Sequence, residues 1–320
     1  MSFYPEINEV IRYEIAVDEP HKLYVEECGN PDGIPVIFLH GGPGSGCNAN
    51  HRRYFNPEKY RIILFDQRGC GLSTPHGCLD KNTTQHLVDD IETIRLKLNV
   101  HQWVIFAGSW GVTLALLYAQ QYKERTLGMI LRGAFLASKR DMDWFFADGV
   151  SRIFPQLWER YSTCLPKIDE SETLLQTYHR CLIDDDKELN AKAALAWSEW
   201  TDSIVTWTLP DTDTGTNKKS PKDIDKLIRS VRLGVHYAVN QYFLEENYLL
   251  ENCEEIQDIP TFLIHGQLDI TCPVESSWLL HKELKNSSLK ILPNTGHLAN
   301  EPNMIDSLVD ATNEMIKLLN

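Results

Sequence analysis

No Cys-X-X-Cys pair occurs in this chain of 320 residues, although it holds eight cysteines: Cys28, Cys47, Cys70, Cys78, Cys164, Cys181, Cys253 and Cys272. Their scatter excludes a zinc ribbon or a dithiol redox centre, and no metal or cofactor is expected. In a chain of this length they read as reduced thiols, which places the protein in the cytoplasm as an expectation. The opening residues Met1-Ser2-Phe3-Tyr4-Pro5-Glu6 carry neither the basic nor the apolar stretch of a secretory leader. No apolar run approaches the roughly 20 residues that cross a bilayer. Positive charge is scarce: 31 Lys and Arg against 45 Asp and Glu leave a formal net charge of −14. A surface that acidic repels nucleic-acid phosphate and anionic membrane, so neither is an expected partner. Internal repeats and low-complexity segments are missing too. So are the G-x-x-x-x-G-K-[ST] and G-x-G-x-x-G strings that would make a glycine-rich turn a phosphate loop.

Hydrophobic residues make up 42% of the chain, enough for a sizeable core, and the length suits one large α/β domain carrying an insertion. Ile11–Val17 and Lys22–Glu27 read as a leading pair of strands. Val36–Leu39, Arg61–Phe65, Trp103–Phe106 and Leu127–Leu131 are the short apolar runs of a buried parallel sheet. Between them, Leu87, Ile91, Ile94 and Leu98 form one stripe of a helix over 84–98. Strand–helix alternation of this kind predicts a mostly parallel sheet covered by helices on both faces. From about Phe135 to Glu255 the rhythm turns helical and aromatic, with Trp144, Trp158, Trp197, Trp200 and Trp207, and with a polar loop over Pro210–Pro221. Strand chemistry then resumes at Thr261–His265 and Leu289–Leu292, and Met304–Leu319 closes the chain as an amphipathic helix. The sheet therefore takes chain from both sides of an inserted helical cap. The expected division is 1–134 with 256–320 for the sheet domain and 135–255 for the cap.

The richest stretch is Ala107-Gly108-Ser109-Trp110-Gly111, set between the strand Trp103–Phe106 and a helix-forming run from Thr113. A strand, a tight turn of small residues with Ser at its apex, and a helix make a nucleophile elbow, here with Ala107 at the usual first glycine. The same string also fits an ordinary strand–helix turn. The rest of an acyl-transfer site follows in the order serine, acid, histidine, each after a strand. Asp269 lies four residues beyond His265, and His297 lies in Pro293-Asn294-Thr295-Gly296-His297 after the last strand. His40-Gly41-Gly42-Pro43-Gly44 supplies unblocked backbone N–H groups after the strand Val36–Leu39. The Gly42 and Trp110 amides are the expected oxyanion-hole donors. His40 is read as a brace for that loop and His265 as a packing residue. In Asp66-Gln67-Arg68-Gly69-Cys70-Gly71, Asp66 and Arg68 are either an ion pair or part of a plain surface turn.

Assembled, these residues resemble the proline iminopeptidases (prolyl aminopeptidases) of the α/β-hydrolase superfamily. The likeness rests on His40-Gly41-Gly42-Pro43-Gly44, Asp66-Gln67-Arg68-Gly69, Ser73-Thr74-Pro75-His76, Asn82-Thr83-Thr84 and Gly108-Ser109-Trp110-Gly111. It continues through Leu131-Arg132-Gly133, His265-Gly266 with Asp269, Cys272-Pro273 and Gly296-His297, and so covers Tyr13 to Pro302. The resemblance implies a cytoplasmic, cofactor-free α/β-hydrolase fold that removes N-terminal proline from short peptides. It implies Ser109 as nucleophile and His297 as base, with the insertion capping the site.

Family members hold the free imino group with cap glutamates, and this chain departs from them there. After Trp197-Ser198-Glu199-Trp200 stands Thr201, and before Asn240-Gln241-Tyr242-Phe243 stands Val239. Helical spacing turns Glu199 and Asp202 away from the Trp197–Thr201 face, and Glu245 and Glu246 are further candidates. Two other readings stay open. One is an esterase or amidase for small neutral acyl compounds, and the other a hydrolase-fold binding protein without catalysis.

Overall fold

The residues described by the computed structural model, 2–209 and 220–320, build one sheet of eight strands. These are β1 (Ile11–Ala16), β2 (Lys22–Gly29), β3 (Ile34–Leu39), β4 (Tyr60–Phe65), β5 (Trp103–Gly108), β6 (Thr126–Arg132), β7 (Thr261–Gly266) and β8 (Ser287–Leu292). In space they run β1-β2-β4-β3-β5-β6-β7-β8. β2 pairs antiparallel with β1 and β4, and all later pairings are parallel. The expected α/β architecture is borne out.

Period-two alternation explains why the central strands are apolar throughout. Along β5, Trp103, Ile105 and Ala107 face one core, while Val104 and Phe106 face the other. Helices α1 (Thr84–Lys97) and α2 (Trp110–Gln121) supply the first core. Helix α10 (Pro302–Leu319) supplies the second, with Met304, Leu308 and Met315 buried. It opens at Pro302, ahead of the expected Met304, because a proline suits the first turn, where its missing N–H is not needed.

Between β6 and β7 the regular elements described are all helical. They are α3 (Lys139–Phe146), α4 (Pro155–Thr163), α5 (Leu174–Ile183), α6 (Lys187–Thr206), α7 (Pro221–Val239) and α8 (Tyr248–Glu251). Helix α9 (Val274–Glu283) follows β7. The loop expected over Pro210–Pro221 lies outside the described residues except at its end, where Ser220 caps α7 and Pro221 is that helix's first residue. Aromatic rings glue the insertion: Tyr161 stacks on Tyr178 at 4.7 Å and on Trp200 at 5.3 Å. Tyr237 ties α7 to the sheet side by donating to Asn82 Oδ1 at 2.7 Å.

Asp66 and Arg68 do not pair with each other. Asp66 accepts the backbone N–H groups of Cys47 (2.6 Å) and Leu72 (2.7 Å), closing its own loop. Arg68 reaches α1 instead, gripping Asp90 through Nε (2.7 Å) and Nη2 (2.6 Å), and touches Asp18 at 3.0 Å. Two residues apart at a strand end, the side chains take separate partners.

Candidate active site

Ser109 sits at the junction of β5 and α2 with φ 56° and ψ −125°, a conformation rare for a residue with a side chain. The neighbours explain the small residues around it. A Cβ at Gly111 would run into the Leu39 carbonyl oxygen, and one at Gly108 would meet the Arg132 guanidinium. The Ser109 N–H donates to the Arg132 carbonyl at 2.9 Å, anchoring the elbow to β6.

His297 and Asp269 meet although 28 residues separate them: Nδ1 lies 2.6 Å from Oδ2. The other carboxylate oxygen of Asp269 accepts the N–H groups of Thr271 and Cys272, both at 2.9 Å. His265 Nε2, which donates to the Cys272 carbonyl at 2.7 Å, is also 3.3 Å from Asp269 Oδ2. His265 therefore does more than pack. Burial works to raise the Asp269 pKa, but attraction to His297 and hydrogen bonds from His265 and His297 outweigh it and hold the carboxyl below the usual carboxylate range. Burial depresses His297 below 6.5, against the pull of Asp269 and with a push from the Arg132 charge. The result is a neutral imidazole beside an ionised carboxylate.

The loops that present these groups are clamped together. Gln267 N–H donates to Leu292 O and Leu268 N–H to Thr295 O, each at 2.9 Å. Glu301 accepts the Gly296 N–H with both oxygens, at 3.0 and 3.1 Å. Two tryptophans of the insertion hold the acid loop by its backbone: Trp144 Nε1 donates to Ile270 O (2.8 Å) and Trp207 Nε1 to Leu268 O (2.7 Å).

Ser109 and His297 line the same cavity of about 650 Å³. Among the described residues no hydrogen bond joins the hydroxyl to the imidazole; His297 Nε2 faces Arg132 Nη1 at 3.3 Å, and that nitrogen also donates to the His297 carbonyl at 2.8 Å. Sequence reasoning assigned Arg132 no role. Its position at the C-terminal end of a central parallel strand, where such sheets gather their sites, was the available signal.

The Gly-rich loop passes directly over the serine, for a Cβ at Gly41 would lie 3.3 Å from Ser109 Cβ. Gly42 takes φ +119°, open to glycine. Among the described residues neither the Gly42 nor the Trp110 N–H donates to a protein acceptor. His40 braces the loop as expected: its Nε2 accepts the Gln67 N–H at 3.0 Å, its carbonyl takes Gln67 Nε2 at 2.9 Å, and Gln67 Oε1 accepts Trp110 Nε1 at 3.0 Å. Cys272 also lines the cavity, and burial keeps its thiol protonated.

The insertion supplies much of the opposite wall. Trp197, Ser198, Thr201, Asp202 and Val205 of α6 all line it. Asp202 therefore corrects the expectation that it turns away. It is exposed at the rim, and its Oδ2 accepts the Ser198 hydroxyl at 2.7 Å. Spacing of i and i+4 puts Ser198 and Asp202 on one face, which was the signal to read. Glu199 does leave that face and pairs with Arg160 at 3.1 Å. Thr201 turns its hydroxyl back to the Trp197 carbonyl at 3.0 Å. Val239, Glu245 and Glu246 are not among the lining residues, and Glu246 accepts the Lys139 N–H at 2.8 Å. Asp141 lines the cavity with its carboxylate committed to Leu136 N, Ser138 N and Ser276 Oγ. Among the described residues no group of three or more His, Cys, Asp or Glu is arranged to hold a metal ion.

A sequence model of the alpha/beta hydrolase fold matches residues 34–303. The chain is 43% identical over 316 residues to a proline iminopeptidase of Xylella fastidiosa, covering 98% of this chain and 99% of that protein. It is 41% identical to a proline iminopeptidase of Arabidopsis thaliana, covering 99% of this chain and 83% of the relative. Among solved structures, an α/β hydrolase from a Medee basin deep-sea metagenome library superposes with a TM-score of 0.62 at 16% identity, over 95% of this chain and 97% of that one.

Proposed function

We infer that this chain, which belongs to the proline iminopeptidase family of α/β hydrolases, is a serine aminopeptidase that releases N-terminal proline from short peptides. The observation that carries the reading is the 2.6 Å pairing of His297 with Asp269 on the cavity that Ser109 enters from its elbow. In this mechanism Ser109 Oγ attacks the carbonyl of the first residue while His297 Nε2 takes its proton. Asp269 holds Nδ1–H and stabilises the imidazolium. The Gly42 and Trp110 amides receive the developing oxyanion, at about 3–4 kcal/mol per donor. His297 returns the proton to the leaving amine, and water then releases proline from the acyl-enzyme. The Ser109–His297 hydrogen bond belongs to the substrate complex, as catalytic contacts commonly tighten only there.

Exopeptidase action needs an anchor for the cationic amine. Asp202 is the carboxylate we assign, since Asp141 is occupied by its own loop and Thr201 and Val239 carry no charge. Residues 135–255 act in this reading as a cap that admits only the end of a peptide, over the catalytic unit 1–134 and 256–320. The eight free cysteines support a cytoplasmic setting. Among the described residues no helix is long and apolar enough to cross a membrane. Parallel assays of proline anilide and acetyl-proline anilide test the reading, with turnover expected for the free form alone and lost in Ser109→Ala. The uncharged Thr201 on the cavity wall favours one competitor, an esterase or amidase indifferent to the amine. Equal turnover of the blocked substrate would establish that competitor instead. Failure of Ser109 to react with a fluorophosphonate would leave a binding protein.

A further inference from the structure

We propose that Arg132 binds the C-terminal carboxylate of the leaving residue, so that the preferred substrates are dipeptides with a free C-terminus; the proposal rests on the aminopeptidase reading above. Arg132 is half-buried at the end of β6 and lines the cavity. Among the described residues it forms no ion pair, and it is the one Lys or Arg on the cavity wall. A guanidinium in such a place without a carboxylate is unusual, because removing a charge from water is costly unless an opposite charge meets it. Both of its protein contacts use Nη1, to the His297 carbonyl at 2.8 Å and to His297 Nε2 at 3.3 Å. Nε and Nη2 donate to no protein acceptor, and neither is sealed from solvent. That edge of the fork lies along Gly108, where the missing side chain leaves it uncovered, and it has donors for a planar anion that no protein acceptor uses.

Position selects the anion. His297 Nε2 hands its proton to the scissile nitrogen, so that nitrogen must come within hydrogen-bond reach of Nε2. In a dipeptide the carboxylate carbon is only two bonds beyond the scissile nitrogen. Arg132 Nη1, 3.3 Å from Nε2, stands where that carboxylate must arrive. In a longer peptide the same place holds a neutral amide. The wall charges agree with a zwitterionic ligand: the carboxylates Asp141 and Asp202 come from the helical insertion, and the cation comes from the sheet.

The test compares kcat/KM for Pro-Gly and for Pro-Gly amide, which differ only in the terminal charge, with proline anilide as a substrate that has no carboxylate. Wild type should favour the acid by about tenfold to a hundredfold, the scale of one charge-assisted hydrogen bond. Arg132→Gln should bring the acid-to-amide ratio near one, even though its contact with His297 lowers turnover of every substrate. Arg132→Lys should keep part of the preference, because it retains charge but loses the fork. Anilide turnover by wild type with an acid-to-amide ratio near one overturns the assignment while leaving the aminopeptidase reading intact, and this measurement needs no variant. An unchanged ratio in a folded Arg132→Gln protein overturns it as well. Absence of anilide turnover overturns the aminopeptidase reading, and the assignment falls with it.

Discussion

At the scale of single residues, protonation decides what the Asp269–His297 pair can do. A base works only when neutral, and burial depresses His297 below its ordinary 6.5. The acid limb of kcat/KM should therefore be centred below 6.5, where the imidazole protonates. An acid limb centred above pH 7 would contradict the assignment of His297 as a buried neutral base. Asp269→Asn keeps the shape but can no longer fix Nδ1–H or stabilise the imidazolium. Turnover should fall roughly 10⁴-fold with little change in KM. Steady-state kinetics on proline anilide checks both. His265 shows how a residue with a modest apparent role acquires another: its Nδ1 meets Ser277 Oγ at 2.7 Å, which leaves Nε2 to point between Cys272 O and Asp269.

Among the elements, the joint between β5 and α2 carries the tightest constraint. Helix α2 starts immediately after Ser109 and is buried along Trp110–Ala119, so it cannot shift outward without opening the first core. Gly111 lets its first turn lie against β3 and the Gly-rich loop. Gly111→Ala should displace that turn, move the Trp110 amide from its place over the serine, and destabilise the fold by about 1–3 kcal/mol as overpacking does. Thermal denaturation with kcat would register both effects. An unaltered midpoint and rate would mean that the close approach is not needed.

Over the whole molecule, long-range polar links hold the loops at the C-terminal edge of the sheet. Arg68 is the clearest case: its side chain is 1% exposed and spans from the β4 loop to Asp90 on α1, itself 1% exposed. Asp90→Asn would leave that guanidinium with the half-exposed Asp18 as its only carboxylate, beside the Lys81 carbonyl. Loss of one partner of a buried pair costs about 3–5 kcal/mol, so the unfolding midpoint in denaturant should fall markedly while the surviving folded enzyme keeps its KM. A midpoint within error of wild type would show that Asp18 and solvent suffice.

Local chemistry made the strands, the α/β class and the order serine, acid, histidine legible in the amino-acid sequence. Each depends on residues adjacent in the chain: β-branched runs, small residues at a turn, glycines that bare an amide. Contacts across the fold were not legible in the same way. Arg68 lies next but one to Asp66 yet pairs with Asp90 on α1, while Asp66 is taken up by the backbone of its own loop. Spacing puts Asp202 on one face of α6 with Ser198, but which face of that helix meets the cavity is set by its packing on α4, α5 and α7. Arg132 lies beside His297 only because β6 and the loop after β8 end at the same edge of the sheet. The sequence by itself determined which groups the chain possesses and the local turns that present them. The tertiary structure decided which of those groups meet, since proximity between side chains on different elements, from 22 residues apart for Arg68 and Asp90 to 165 for Arg132 and His297, depends on helix packing and strand order, set by the whole core.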